Sequence, residues 1–376
     1  MNRIKVKYED VISVENLIAA DQIIRSHCGY KYKVEQFDKD WYDNIYQLHV
    51  DLKNFTYEHS GYDIFHKTGA DGKCRLIHVC SNYRDRIIQK AIVIVVKDKL
   101  IKKLVGNTYS SVPGRGSHKA IHRIQKIVRE NKMYCLQLDV KKFFESINQE
   151  YLISVLQKTF KDDRLVWLFE RMIHAVDHGL VLGAEDSQWW ANLCLTQLDH
   201  IILQKCKPAN YFRYCDDLVL LDPDRSKLEQ SLFVIRKHIE EIGLTLKPSA
   251  SIFLIAEKRR EKGSSGQGEG LDFLGYVFYR NHTDLRNRTK KRWRKRLYRL
   301  NKLAADIPAS KKDIIAAASI RGLTMHCNSN NLLKKWQNEY TNHYARLRRR
   351  KAAKAAVTER RKNELATVLQ QTSRTE

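Results

Sequence analysis

Two adjacent acids, Asp216 and Asp217, interrupt an otherwise strand-like stretch, with Tyr211-Phe212-Arg213-Tyr214 before them and Leu218-Val219-Leu220-Leu221 after. The flanks are rich in aromatic and branched residues, so the pattern predicts two strands joined by a tight turn at Cys215-Asp216-Asp217. Two like charges at such a tip repel unless a cation lies between them. The competing reading makes both acids plain turn residues, since Asp is common in hairpin loops. Asp139 weighs against it: Met133 to Val140 reads as a buried strand, and Asp139 falls at its C-terminal end, just ahead of a helix.

A hairpin tip and a neighbouring strand end can bring these three carboxylates together. Hard oxygen donors of this kind suit Mg²⁺. Two such ions about 3.5–4 Å apart can activate an attacking hydroxyl and neutralise a leaving pyrophosphate in an in-line phosphoryl displacement. The chemistry expected is transfer of a nucleotide to a 3′ end, although a metal-dependent nuclease would use similar carboxylates.

The charge balance narrows the partner. Sixty-eight Lys and Arg stand against 43 Asp and Glu, a net charge of +25, which exceeds what solubility needs and points to a polyanion, nucleic acid before membrane. The longest apolar run, around Ala91 to Val96, is strand-sized, and the N-terminus lacks a signal-peptide core, so a soluble cytoplasmic protein without membrane partners is expected. Cys28, Cys74, Cys80, Cys135, Cys194, Cys206, Cys215 and Cys327 show no C-x-x-C pairing and read as reduced, mostly core residues.

Along the 376 residues, more than one lobe is expected. Val14 to Tyr57 has helical spacing; Asp63 to Val79 reads as a hairpin turning at Thr68–Gly72, flanked by Lys67, Lys73 and Arg75. A helix follows from Asp85 to about Val105, then a turn at Val112–Ser117 from which Arg115 would project, then a new helix near His118. Ser146–Gln149 suggests a capping box, Ser187 a helix cap, and Leu271 to Tyr279 one strand after a Gly/Ser-rich loop. Strand, helix, hairpin and helix in this order predict an α+β class with an antiparallel sheet backed by helices. Beyond Arg280 the chain turns sharply basic, and Arg292, Arg294, Lys295, Arg296 and Arg299 surround Trp293, Leu297 and Tyr298 on a helix suited to a nucleic-acid backbone.

Several of these segments resemble successive motifs of bacterial reverse transcriptases: Leu138-Asp139-Val140-Lys141-Lys142-Phe143-Phe144, Phe212-Arg213-Tyr214-Cys215-Asp216-Asp217 and Leu271-Asp272-Phe273-Leu274-Gly275. Asn82–Gln89 and Pro113–Ala120 are similar to finger motifs of intron-encoded and related enzymes. The resemblance implies a right-hand polymerase fold: an N-terminal helical region over 1–60, fingers over 61–130, a palm with its antiparallel sheet over 131–280, and a helical thumb with a basic C-terminal region over 281–376. It implies RNA-directed DNA polymerase activity with Asp139, Asp216 and Asp217 catalytic, and two Mg²⁺ ions, Mn²⁺ substituting, on Asp139, Val140, Asp216 and Asp217.

Phe144 takes the position of a steric gate against a ribose 2′-hydroxyl, the alternative being a core aromatic beside Phe143. Lys67, Lys73, Arg75, Arg86 and Arg115 are candidates to clamp the incoming triphosphate, Arg75 and Arg115 foremost. Leu182-Gly183-Ala184-Glu185-Asp186-Ser187-Gln188, with an aliphatic residue first and Gln last, resembles enzymes of diversity-generating retroelements, in which Gln188 would promote errors opposite template adenines. That family implies a structured template RNA, a cDNA product, dNTPs and a small oligomeric accessory protein. The rivals are a defence-associated or retron-like reverse transcriptase with the same chemistry, an intron maturase, for which too little chain follows the palm, and a non-catalytic nucleic-acid-binding module. A second basic cluster, Arg346 to Lys354, is a further candidate RNA or partner contact.

Overall fold

In the computed structural model, which describes residues 3–27, 32–69, 72, 74–258, 268–302, 315, 318–319 and 322–328, the chain separates into two units, Met1–Ile255 and Ala256–Glu376. The first opens with α1 (Tyr8–Ile12), α2 (Val14–His27), α3 (Tyr32–Asp38) and α4 (Trp41–Lys53). Apolar residues at helical spacing face inward: Leu17, Ala20 and Ile24 of α2 and Ile45, Leu48 and Leu52 of α4 are buried. Asp21 is buried among them and accepts hydrogen bonds from Arg25, Trp41 and Tyr83.

β1 (Tyr62–Thr68) and β2 (Cys74–Cys80) form the predicted hairpin, with Lys67 opposite Arg75. α5 (Tyr83–Ile101) begins where the Asn82 side chain accepts from the Arg84 amide. Its Ile87, Ile88, Ala91, Ile92 and Val96 lie in the core. α6 (Ser117–Glu130) follows the glycine turn.

β3 (Tyr134–Asp139) leads into α7 (Phe143–Ser146), α8 (Gln149–Thr159), α9 (Asp163–Ile173), α10 (Glu185–Cys194) and α11 (Thr196–Ile201), which runs on as a π-helical turn. β4 (Asn210–Tyr214), β5 (Asp217–Asp222), α12 (Arg225–Glu241) and β6 (Ser251–Leu254) complete the unit. The strands form one antiparallel sheet in the order β4-β5-β3-β6. β3 and β5 are central, so Leu136, Leu138, Leu218 and Leu220 are fully enclosed.

In the second unit β7 (Leu271–Phe273), β8 (Tyr276–Phe278) and β9 (Thr283–Leu285) form an antiparallel sheet, followed by α13 (Asn287–Lys302). The single strand expected over Leu271–Tyr279 is a hairpin. Leu274 (φ 52°) and Gly275 (φ 88°) are both left-handed, the geometry of a two-residue turn, so Phe273 pairs with Tyr276.

Two predicted caps also differ. Ser146 ends α7, and it is Asn148 that caps α8 by accepting from the Tyr151 amide. Ser187 lies inside α10, whose N-cap position is Ala184, so Ser187 is a buried helix residue. Among the described cysteines Cys80, Cys135, Cys194 and Cys206 are buried, Cys215 and Cys327 partly so, and Cys74 is exposed. Cys28, Lys73 and the cluster Arg346 to Lys354 lie outside the described residues. Among the described residues no helix is long and apolar enough to cross a membrane.

Candidate active site

β3 and β5 run antiparallel, and their last rung places Asp139 directly opposite Asp217. Cys215 turns the chain between β4 and β5 with a left-handed backbone (φ 58°), and the Val140 amide donates to the Asp216 carbonyl at 3.4 Å. The two acids predicted at a hairpin tip and the acid predicted at a strand end therefore share one end of the sheet. Like charges directly opposite on a sheet face are unfavourable.

The electrostatics follow from that crowding. Burial pushes the Asp216 carboxyl above the ordinary carboxylate range, and the nearby Asp139 charge pushes it further in the same direction. Burial also drives the Cys215 thiol up to about 12, so this sulfur stays protonated and is no nucleophile at neutral pH.

Asp139 Oδ2 is paired with the Lys247 ammonium. The segment bearing that lysine is held beside β3, the Lys247 amide donating to the Asp139 carbonyl and the Lys141 amide to the Thr245 carbonyl, each at 2.8 Å. Asp139 Oδ1 is buried with no hydrogen-bond partner.

Among the described residues no three His, Cys, Asp or Glu side chains already converge as a ready-made ligand sphere. The donor set nevertheless suits Mg²⁺ or Mn²⁺: hard carboxylate oxygens, one of them buried and unsatisfied, and a carboxyl that would gain from a neighbouring cation. Val140 has no donor side chain and is fully buried, so only its carbonyl could contribute.

Phe143 is the core ring of its pair, 3 % exposed, while Phe144 is half-buried and meets it edge-on at 5.7 Å. Phe144 is thus the more exposed ring of the two. Gln188, half-buried on α10, accepts from the Ser111 hydroxyl at 3.4 Å. Lys67 and Arg75 are exposed on one rung of the β1–β2 hairpin. Arg115, expected to project from its loop, is half-buried, and its Nη1 donates to the Val105 carbonyl at 2.7 Å.

The base of that hairpin is fastened to the Leu182–Gln188 segment. The His78 amide donates to the Leu182 carbonyl at 2.8 Å, and a Cβ on Gly183 would lie 2.3 Å from the His78 carbonyl oxygen. The backbone that this glycine lets approach is the hairpin's own. On α13, in the second unit, Arg292, Arg294 and Lys295 are exposed and Trp293 is fully buried. The side chains of Arg296 and Arg299 are outside the described residues.

Sequence reasoning missed Lys247 and gave Arg213 no role. A charge inside an apolar strand was visible at Arg213; at Lys247, an ordinary polar position before Pro248, nothing set the residue apart.

No curated protein sequence matches the chain. Among solved structures, apo telomerase from Candida tropicalis is similar at 10% identity over 77% of this chain and 59% of that one, with a TM-score of 0.48. Telomerase from Candida albicans with a TWJ fragment of telomeric RNA is similar at 11% identity over 76% and 55%, with a TM-score of 0.45. The chain spans little more than half of those proteins' lengths. The profile of the reverse transcriptase (RNA-dependent DNA polymerase) family matches residues 65–278, from the first hairpin through the sheet bearing the aspartates to β8. That match covers more than half of the chain, and the α+β architecture with its antiparallel sheet is of the right-hand polymerase kind: the chain belongs to the reverse transcriptase family.

Proposed function

We propose that the protein is an RNA-templated DNA polymerase of the diversity-generating retroelement type, copying a structured template RNA into error-prone cDNA in the cytoplasm. The observation that carries this reading is Asp139 opposite Asp217 across β3 and β5, with Asp216 at the adjoining turn. Bound there, two Mg²⁺ ions would supply activation of the primer hydroxyl and neutralisation of the departing pyrophosphate.

The chain's own groups do the rest. Asp139, Asp216, Asp217 and the Val140 carbonyl hold the ions. Lys247 orients the Asp139 carboxylate. Phe144, the more exposed ring of its pair just after β3, bars a ribose 2′-hydroxyl. Lys67, Lys73, Arg75 and Arg115 clamp the dNTP triphosphate, and Gln188 tolerates mispairing opposite template adenine. The basic residues Arg292, Arg294, Lys295, Arg296 and Arg299 follow the primer–template backbone. A small oligomeric accessory protein completes the assembly.

The test is dNTP incorporation by the full chain on a primed, adenine-rich RNA with Mg²⁺, comparing wild type with an Asp216→Asn/Asp217→Asn double variant and sequencing the products. Metal-dependent synthesis lost in the variant, with errors gathered opposite adenine, is the expected outcome. Faithful synthesis would replace the retroelement reading with a defence-associated or retron-like one. Synthesis surviving in the variant would overturn the catalytic assignment.

A further inference from the structure

The side chain of Arg213, on β4 one residue before Tyr214-Cys215-Asp216-Asp217, is wholly buried, as is its partner Asp199 on α11. Nε and Nη2 fork onto the two Asp199 oxygens at 2.8 and 2.7 Å. Nη1 donates to Asn192 Oδ1 at 3.1 Å and to the Cys215 carbonyl at 3.2 Å, while Nη2 also reaches the Thr108 hydroxyl and the Asn192 carbonyl, each at 3.2 Å. The backbone closes the same knot: the Arg213 amide donates to the Asn107 carbonyl and the Tyr109 amide to the Arg213 carbonyl, both at 2.9 Å.

A buried ion pair is weak evidence of stabilisation, because apolar residues of similar volume commonly hold a core as well or better. An apolar side chain could not donate to the carbonyl of Cys215, the residue whose left-handed backbone makes the aspartate turn. Nor could it bind Asn192, which lies one helical turn from Gln188 on α10 and whose amide donates to the Ser110 carbonyl at 3.0 Å. Ser111, next in the chain, contacts Gln188. One planar cation thus ties the aspartate turn, the 107–111 segment and the helix carrying the nucleotide-pocket residue. A guanidinium can make these bonds together; an ammonium cannot.

We propose that Arg213 is a positioning residue for nucleotide transfer, fixing the Asp216-Asp217 turn in register with α10. This rests on the polymerase reading above. Substitution at Arg213 changes the placement of the carboxylates more than the recognition of dNTP.

The test uses the full chain with R213K, which keeps the charge without the fork, and Thr108→Val, an isosteric change that removes one acceptor and is mild enough to fold. Steady-state incorporation on primed RNA gives kcat, KM for dNTP and the half-saturating Mg²⁺ concentration; Mn²⁺ binding followed by electron paramagnetic resonance reads the metal site without turnover. Per folded molecule, R213K is expected to lose at least about 10-fold in kcat, to need several-fold more Mg²⁺ and to bind Mn²⁺ correspondingly more weakly, with KM changed less than about 2-fold. Thr108→Val is expected to show the same split at smaller size. If the folded variants match wild type in kcat and Mn²⁺ affinity, Arg213 only packs the core and the proposal is overturned. A wild-type chain that binds Mn²⁺ but makes no DNA even with its template RNA and accessory protein supplied would sink the polymerase reading, while the Mn²⁺ comparison still decides whether Arg213 places the carboxylates.

Discussion

Gly179 lies just before Leu180, whose amide donates to the Phe144 carbonyl at 2.7 Å, so this loop braces the short helix that presents Phe144. Its backbone is left-handed (φ 67°), and a Cβ there would stand 2.5 Å from the Phe144 carbonyl oxygen and 2.7 Å from that of Glu145. Both obstacles are backbone and cannot swing aside. Gly179→Ala therefore carries a left-handed alanine, about 1–2 kcal/mol, and a displaced neighbour, about 1–3 kcal/mol for overpacking. The sum, about 2–5 kcal/mol, corresponds in a unit of this size to a fall in Tm of at least about 4 °C. Thermal unfolding followed by circular dichroism measures it, with Gly106→Ala as control, since nothing lies within 4 Å of a Cβ at Gly106 and its φ is not left-handed. If the backbone yields by moving Phe144, ribonucleotide incorporation rises alongside the loss of stability. A Gly179→Ala protein as stable as the Gly106→Ala control would refute the reasoning, because it would mean that the loop does not brace α7 as described.

Phe144→Ala is expected to lower discrimination against ribonucleotides by about 10-fold or more while leaving dNTP incorporation measurable, in competition assays with paired dNTP and rNTP substrates; unchanged discrimination would leave Phe144 a packing residue. Asp186 is buried on α10, and burial raises its carboxyl from 3.8 to about 6. The folded state then binds more protons than the unfolded one between about pH 4 and 6, so this group's contribution to stability falls as pH rises through that window, by up to about 3 kcal/mol. Asp186→Asn should flatten that slope in urea midpoints taken at pH 4.5 and 7.5, and an unaltered slope would show that another group sets it. Asp199→Asn leaves the Arg213 guanidinium buried without its counter-charge, a loss of about 3–5 kcal/mol; chemical denaturation showing less than about 1 kcal/mol would mean that water or a relaxed core compensates.

Much of the fold was legible because local chemistry dictated it. The apolar flanks of Asp216-Asp217 and the run ending at Asp139 became β4, β5 and β3 within a residue or two of the expected bounds, since alternation and turn residues act over a few positions. The failures were equally local. Leu271–Tyr279 looked like one strand because Leu274 is a poor turn residue, and only the neighbouring Gly275 lets the pair adopt two left-handed conformations. Ser146 and Ser187 looked like caps because their side chains are suited to capping, but the N-cap positions fall two residues later, at Asn148, and three residues earlier, at Ala184.

The candidate site divides along a different line. The candidate acids could be picked out in the sequence because divalent-metal chemistry demands carboxylates and sheet geometry lets strand ends bring them together, so residue type and local spacing both speak. The cations that meet those acids answer to neither demand. Lys247 comes from a segment 108 residues beyond Asp139 and is brought to it by the backbone bonds of Lys247 to Asp139 and of Thr245 to Lys141, at the C-terminal end of β3. Arg213 sits beside the aspartates in sequence, yet its meaning lies with Asp199, Asn192 and Thr108, from three other segments that only the folded chain assembles. A buried charge inside an apolar strand is nonetheless a signal: it must be paired to be tolerated. In a polymerase sheet, the place where such a pairing can matter most is the turn that carries the carboxylates.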